Sequence, residues 1–334
     1  MNAAGSGKRA RVALIGFAAA IVAAFLVFRG HYLLSALVLG GIYAIVIVGL
    51  VLLTGLSGQY SLGHAAFFGI GAYASALLSL NGWPPALACL AAIAISTLLA
   101  ILISIPLVQL RGYYLAVATL AYGLIVASVL NGWLKLTKGP SGIGNIPKFS
   151  IGDVVFAGES MNYWLAWTLA FFCVWAGVNL WQSRVGQAML AVKRDEAGAA
   201  SLGIDVARTK VQIFAISAAF AGLGGSIYAH YVSFIAPERF GMVPSFELLL
   251  AALLGGVGTP FGAVLGALLL IALPEVVAPL RDYKVIVYGV IFILVSLYFP
   301  HGVAGMVGNW YSRRFGGGHA PGGPAGTSDG GGKA

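Results

Sequence analysis

Residues 33–53 read LLSALVLGGIYAIVIVGLVLL, without one charged side chain. A helix that crosses the hydrocarbon core of a bilayer needs about 20 apolar residues, and this run supplies them in one piece. Comparable runs lie on either side of it, near 12–28, 62–80, 86–109, 113–134, 163–181, 211–235, 245–272 and 285–299. The whole chain is 60% hydrophobic and 9% charged, with mean hydropathy +0.93. A soluble domain carries about a quarter charged residues; this chain has too few to cover a water-facing surface. Lipid must solvate much of it. The expected fold class is all-α, a polytopic helical bundle integral to a membrane.

The run 245–272 needs a break. Gly255-Gly256-Val257-Gly258-Thr259-Pro260 stands in its middle, and glycines beside a proline do not continue a helix. Two short helices packed inside the protein keep the broken backbone away from lipid. The expected total is then about ten membrane helices. The basic residues support an even count. Lys8, Arg9 and Arg11 precede the first run, and Arg184, Lys193, Arg194, Arg208 and Lys210 cluster in the polar connection 182–210. Basic residues mark the cytoplasmic side, and six spans separate the two clusters. Arg313 and Arg314 put the C-terminus on that side as well. Residues 1–11 are thus expected as a cytoplasmic basic segment, 12–300 as the membrane domain, and 301–334 as a glycine-rich, disordered cytoplasmic tail. The first run is too long for a secretory signal core and has no A-x-A site after it, so it reads as a retained helix.

Several classes fall away on composition. The net charge of +9 sits in a few clusters, with no basic stripe interleaved with aromatics, so nucleic acid is not an expected partner. Cys89 and Cys173 each lie inside an apolar run and read as small buried hydrophobes. No metal or cofactor ligand set is evident. Gly5-Ser6-Gly7-Lys8 has Asn2 and Arg9 where a phosphate-binding loop needs Gly and Ser or Thr, so any ATP must be hydrolysed by another subunit. Ion-coupled carriers keep carboxylates at mid-membrane; here Glu247 and Glu275 lie near the ends of a run. Gly55-Leu56-Ser57-Gly58 matches the G-x-S-G of intramembrane serine proteases, with His64 and His230 as the available bases. His64 follows by only seven residues and no H-x-x-x-N element accompanies either histidine, so the chain is not expected to be an enzyme.

The segment Gly55-Leu56-Ser57-Gly58-Gln59-Tyr60-Ser61-Leu62-Gly63-His64 is polar and glycine-rich between two apolar runs. It reads either as a turn lining a path or gate, or as an ordinary interfacial loop. Thr54–Leu78, TGLSGQYSLGHAAFFGIGAYASALL, resembles the signature of the branched-chain amino-acid permeases of ABC importers. So do LRGYYLAVATL at 110–120, typical of the M-type subunit, GPSGI at 139–143, SAAFAGLGG at 217–225 and LGGVGTPFGAVLGA at 254–267. The five matches run in order across residues 33–300. The resemblance implies a permease that moves branched-chain amino acids, or related solutes such as urea, short amides or aromatic acids, by alternating access across the bacterial inner membrane. Its implied partners are an H-type permease, two ATP-binding cassette subunits and a periplasmic solute-binding protein, with no cofactor.

The resemblance also gives the 182–210 connection a role, as the cytoplasmic segment that couples to the ATPase. Val185, Met189 and Val192 recur at near-helical spacing among Arg184, Lys193, Arg194 and Glu196. Without the resemblance, the same residues fit a solvated loop. Glu196-Ala197-Gly198, followed by Gly203, resembles the E-A-A…G motif, with Gly198 for an alanine and one residue more before Gly203. The expected coupling residues are Arg184, Met189, Lys193, Arg194, Glu196 and Gly203. The expected path or gate residues are Gly55, Ser57, Gln59, Ser61, His64, Tyr113, Thr119, Gly255, Gly256 and Gly258.

Overall fold

The computed structural model describes residues 3–27, 30–110, 112–276 and 290. The expected run 285–299 apart from residue 290, the tail 301–334 with Arg313 and Arg314, and Arg111 lie outside the described residues. Helices make up the rest almost throughout: α1 (Ala3–Val27), α2 (His31–Ser57), α3 (His64–Leu80), α4 (Pro85–Leu107), α5 (Tyr113–Gly132), α6 (Leu134–Thr137), α7 (Glu159–Gln182), α8 (Arg184–Arg194), α9 (Glu196–Ser201), α10 (Val206–Val232), α11 (Met242–Gly255) and α12 (Pro260–Val276). Five of these are long and apolar enough to cross a bilayer, and four apolar stretches are shorter. The backbone of α1 begins at Ala3, upstream of the run expected from residue 12.

The bundle is built around α2 and α10, which run antiparallel and touch through glycine. A Cβ on Gly49 would stand 2.6 Å from the Ser217 carbonyl oxygen, and one on Gly224 would stand 2.5 Å from a Val46 methyl. Helix α3 lies parallel to α10 on another side. There a Cβ on Gly71 would overlap the backbone of Gly222, and one on Gly225 would overlap the carbonyl oxygen of Phe68. Lipid gives helices no hydrophobic reason to associate, so small residues that let backbones approach carry the packing. Helix α4 completes this unit with one stripe of small residues, Ala88, Ala92, Ser96, Ala100 and Ser104, all buried at a spacing of four. Helix α7 runs beside α2, Trp167 Nε1 donating to the Leu37 carbonyl at 3.0 Å. Helix α1 lies against α7, Tyr163 Oη donating to the Ile21 carbonyl at 2.7 Å.

The expected break at Gly255–Pro260 is present, and it is a tight turn between two antiparallel helices. Helix α11 stops at Gly255, Gly256 takes φ +106°, and α12 starts on Pro260. A Cβ on Gly255 would overlap the Gly262 carbonyl oxygen, and one on Gly266 would overlap that of Ala251. This close approach explains the recurrence of glycine at 255, 262 and 266.

The 182–210 connection is more ordered than a loop. Three side chains cap three helices in succession. Ser183 Oγ accepts from Gly186 N at 3.1 Å, Asp195 Oδ1 from Ala197 N at 3.0 Å, and Asp205 Oδ1 from Arg208 N at 2.9 Å. At the opposite end of the bundle, the connection between α5 and α7 holds α6, a 3₁₀ turn and a small antiparallel pair, β1 (Ser150–Ile151) and β2 (Val154–Val155).

Candidate functional site

The end of α2, the turn between α11 and α12, the end of α7 and helix α8 converge. A Cβ on Gly55 would overlap the Val257 carbonyl oxygen and stand 2.6 Å from the Trp181 ring. Lys193 Nζ donates to the Gly55 carbonyl at 2.8 Å and reaches the Thr54 carbonyl at 3.5 Å. Gly58 closes α2 in the left-handed region, φ +69°, and a Cβ there would press on the Lys193 stem at 3.1 Å. Two expected gate elements, residues 55–58 and 255–258, therefore meet at Gly55 and Val257, with α8 tied to the first through Lys193. Gly258 itself is exposed and meets nothing.

The segment from Gly58 to His64 turns back into the bundle. Thr119, buried in α5, accepts from Leu62 N at 3.0 Å and donates to the Ala116 carbonyl at 2.8 Å. Gly63 packs so closely on the Thr119 carbonyl that no side chain fits. Ala65 N donates to Ser245 Oγ of α11 at 3.2 Å. Thr119 and Ser245 thus bracket the turn from two helices. Inside the bracket Gln59, Ser61 and His64 are buried. The Nε2 of His64 and the hydroxyls of Ser61, Thr54 and Ser217 have no partner among the described residues. A buried polar group without a partner costs about 1–3 kcal/mol, and the hydroxyls of Tyr73, Ser79 and Tyr122 are in the same condition. Ser57 differs: its hydroxyl donates to the Leu53 carbonyl at 2.7 Å, inside its own helix. Tyr113 is 77% exposed on the first turn of α5.

The coupling residues divide into two sets. Met189 and Val192 are buried, 0% and 2% exposed, against the bundle, and Gly186 lies so close to the Leu180 carbonyl that only glycine fits. The apolar face of α8 therefore docks on its own chain, and Met189 is not free to meet another protein. Lys193 is committed to Gly55. Its partial desolvation lowers its pKa below the ordinary 10.5. Glu196 forms an ion pair with Lys210 at 2.6 Å, the lysine side chain 6% exposed. Arg184, Arg194 and Gly203 remain on the surface, Gly203 at φ +82°. Beside them stands Leu202, 81% exposed, with Val185 at 44%. Reading the sequence missed Leu202. Its signal was a leucine beside a glycine in the one basic polar connection.

The comparisons with known proteins accord with this architecture. The family model for the branched-chain amino acid transport system / permease component matches residues 32–296. The high-affinity branched-chain amino acid transport system permease protein LivM of Salmonella typhimurium is 32% identical over 310 residues, covering 84% of this chain and 72% of the relative. The LivM of Escherichia coli K12 is 32% identical over 311 residues, with the same coverage. The LivH permease of Escherichia coli K12 is 26% identical over 300 residues, covering 81% of this chain and 94% of LivH. No solved structure matches. With the family model spanning most of the chain and a LivM-type relative near one third identical, the chain belongs to the permease components of branched-chain amino acid transport systems.

Proposed function

We propose that this chain is the M-type permease subunit of an ATP-driven importer, moving leucine, isoleucine and valine across the bacterial inner membrane. It works by alternating access beside an H-type permease, with two ATP-binding subunits and a periplasmic solute-binding protein. The observation that carries this reading is the similarity to LivM over 84% of the chain. The described geometry supports it in three places.

First, α8 is built into the membrane bundle while its neighbour α9 is followed at once by the exposed Leu202, so a push on α9 reaches α2 and α10 without slack. Leu202, Val185, Arg184, Arg194 and Gly203 form the surface for the ATP-binding subunit. Second, Gly55 meets the Val257 carbonyl beside the Trp181 ring at that same end. Val257 stands in the turn between α11 and α12, so this contact can part without unpacking a helix, which suits a gate. Third, Thr54, Ser61, His64 and Ser217 supply buried polar atoms along the route that the gate controls. A zwitterionic amino acid needs hydrogen-bonding groups there and no fixed countercharge.

The basic residues of the α8 end support a cytoplasmic position for it. Helices α1, α2, α3, α4, α5, α7, α10, α11 and α12, together with the run 285–299, make ten spans with both termini inside. Residues 182–210 are the coupling region, and 301–334 form a cytoplasmic tail. No covalent chemistry falls to this chain.

The test is uptake of radiolabelled leucine into proteoliposomes holding the four membrane components, with ATP inside and the solute-binding protein outside. Saturable uptake that unlabelled isoleucine and valine inhibit is expected. Inhibition by urea, a short amide or an aromatic acid, with none by isoleucine or valine, would reassign the solute. Leu202→Asp should leave the bundle folded and abolish ATP-driven uptake.

A further inference from the structure

The connection between α5 and α7 is laced to the far end of α10. Ile143 and Ile235 exchange two backbone hydrogen bonds, at 2.8 and 2.9 Å. Ile146 N donates to the Ser233 carbonyl at 3.3 Å, and Lys148 Nζ to the Tyr231 carbonyl at 3.0 Å. At the centre is His230, fully buried in the last turn of α10. Its Nδ1 lies 2.7 Å from the Pro147 carbonyl, its Nε2 lies 2.9 Å from Ser75 Oγ, and Ser226 Oγ donates to Ser75 Oγ at 2.7 Å. The Pro147 carbonyl only accepts, so Nδ1 holds a proton; the neutral ring then accepts from Ser75 at Nε2. One histidine thus joins the 143–149 segment to α10 and α3 together.

The other end of α10 holds Lys210, buried and paired with Glu196 of α9. Between the two ends α10 runs unbroken for 27 residues, about 40 Å at the helical rise. Along it Gly222, Gly224 and Gly225 set it against α4, α2 and α3 with no room for a Cβ. Contacts this close do not slide; they move as one body.

We propose that α10 is a rigid strut that carries a displacement of α9 to the 143–149 segment, with His230 as the positioning residue that keeps that segment on the strut. This rests on the permease reading above. It adds the route by which the ATP-binding subunits and the solute-binding protein sense each other. The clamp stays closed throughout the cycle and travels with α10.

The measurement is ATP hydrolysis by the reconstituted complex, with and without solute-loaded binding protein. A wild-type complex that binding protein fails to stimulate would count against the permease reading itself, whatever the variants do. In a stimulated complex, His230→Ala should keep its basal rate while stimulation falls by about tenfold, within the range of allosteric coupling energies. A disulfide from Ile143→Cys and Ile235→Cys, residues whose Cα atoms in such a paired bridge lie about 5.5 Å apart, should restore stimulation in the His230→Ala background, reversibly with reductant. Full stimulation in His230→Ala, or no restoration by the disulfide, overturns the proposal. If His230→Ala fails to fold, the disulfide in the parent decides: uptake unchanged on oxidation is expected, and uptake abolished means that the clamp opens.

Discussion

Helices α2 and α4 are equally apolar, yet 78% of the membrane-length window of α2 is buried inside the protein against 28% of that of α4. What separates them is where the small residues stand. The glycines of α2 face different neighbours: Gly40 and Gly41 meet α7 and α12, Gly49 meets α10, and Gly55 meets the turn after α11. Helix α4 confines its small residues to one stripe and turns Leu87, Leu90, Leu98, Ile101, Leu102 and Ile105 outward. Apolarity places a helix in the membrane; the distribution of small residues around it decides how many helices surround it.

Substitutions break or sharpen that contrast. The largest effect is expected where backbones touch. Gly225→Leu must displace α3 from α10 and should cost at least ~3 kcal/mol, at or beyond the usual upper range of overpacking; the folded fraction during denaturant titration in detergent measures it. Lys210→Met removes the buried cation that pairs with Glu196 and should cost less than the ~3–5 kcal/mol of a fully buried pair, because Glu196 is 25% exposed, with part of the loss recovered in Lys210→Met/Glu196→Leu. Ser75→Ala leaves Nε2 of His230 without its donor and should cost about 1–3 kcal/mol.

Smaller still is the pH dependence that Lys193 imposes. Its folded-state pKa is lowered by desolvation, so between that value and 10.5 the unfolded chain binds more protons than the folded one. Stability should therefore rise with pH through that window, and Lys193→Met should flatten the slope. Thermal unfolding in detergent across alkaline pH reads this directly. At the bottom of the scale, Leu98→Ala or Leu102→Ala on the outer face of α4 should change the stability of the chain by no more than ~0.5 kcal/mol. A large loss there in the isolated chain would mean that α4 is surrounded as α2 is.

Much of this was legible in the sequence because its causes are local. Runs of apolar residues marked α2 to α5, α7 and α10 to within about five residues, whereas α1 begins at Ala3, well before its run. Gly255-Gly256 with Pro260 announced the turn between α11 and α12, since glycine and proline disfavour helix in any context. The caps Ser183, Asp195 and Asp205, which divide the 182–210 connection into its helices, went unread.

What the sequence concealed is direction. Met189, Lys193 and Glu196 sit in an amphipathic, charged segment that reads equally well as a surface for a partner. Only the packed bundle shows Met189 pressed on its own chain, Lys193 bonded to Gly55 and Glu196 paired with Lys210. Tyr113 stood in a motif and lies on the outside of α5, because a motif fixes residue order and not the face a helix presents. The clamp on Pro147 joins residues more than eighty positions apart, a distance no periodicity spans.

The most direct test of the account is leucine transport by the purified chain in vesicles, first alone under imposed proton and sodium gradients, then with its permease partner, ATP-binding subunits and solute-binding protein. The account predicts no accumulation in the first case, and in the second ATP-dependent accumulation that survives collapse of both gradients. Uphill accumulation by the chain alone would contradict it.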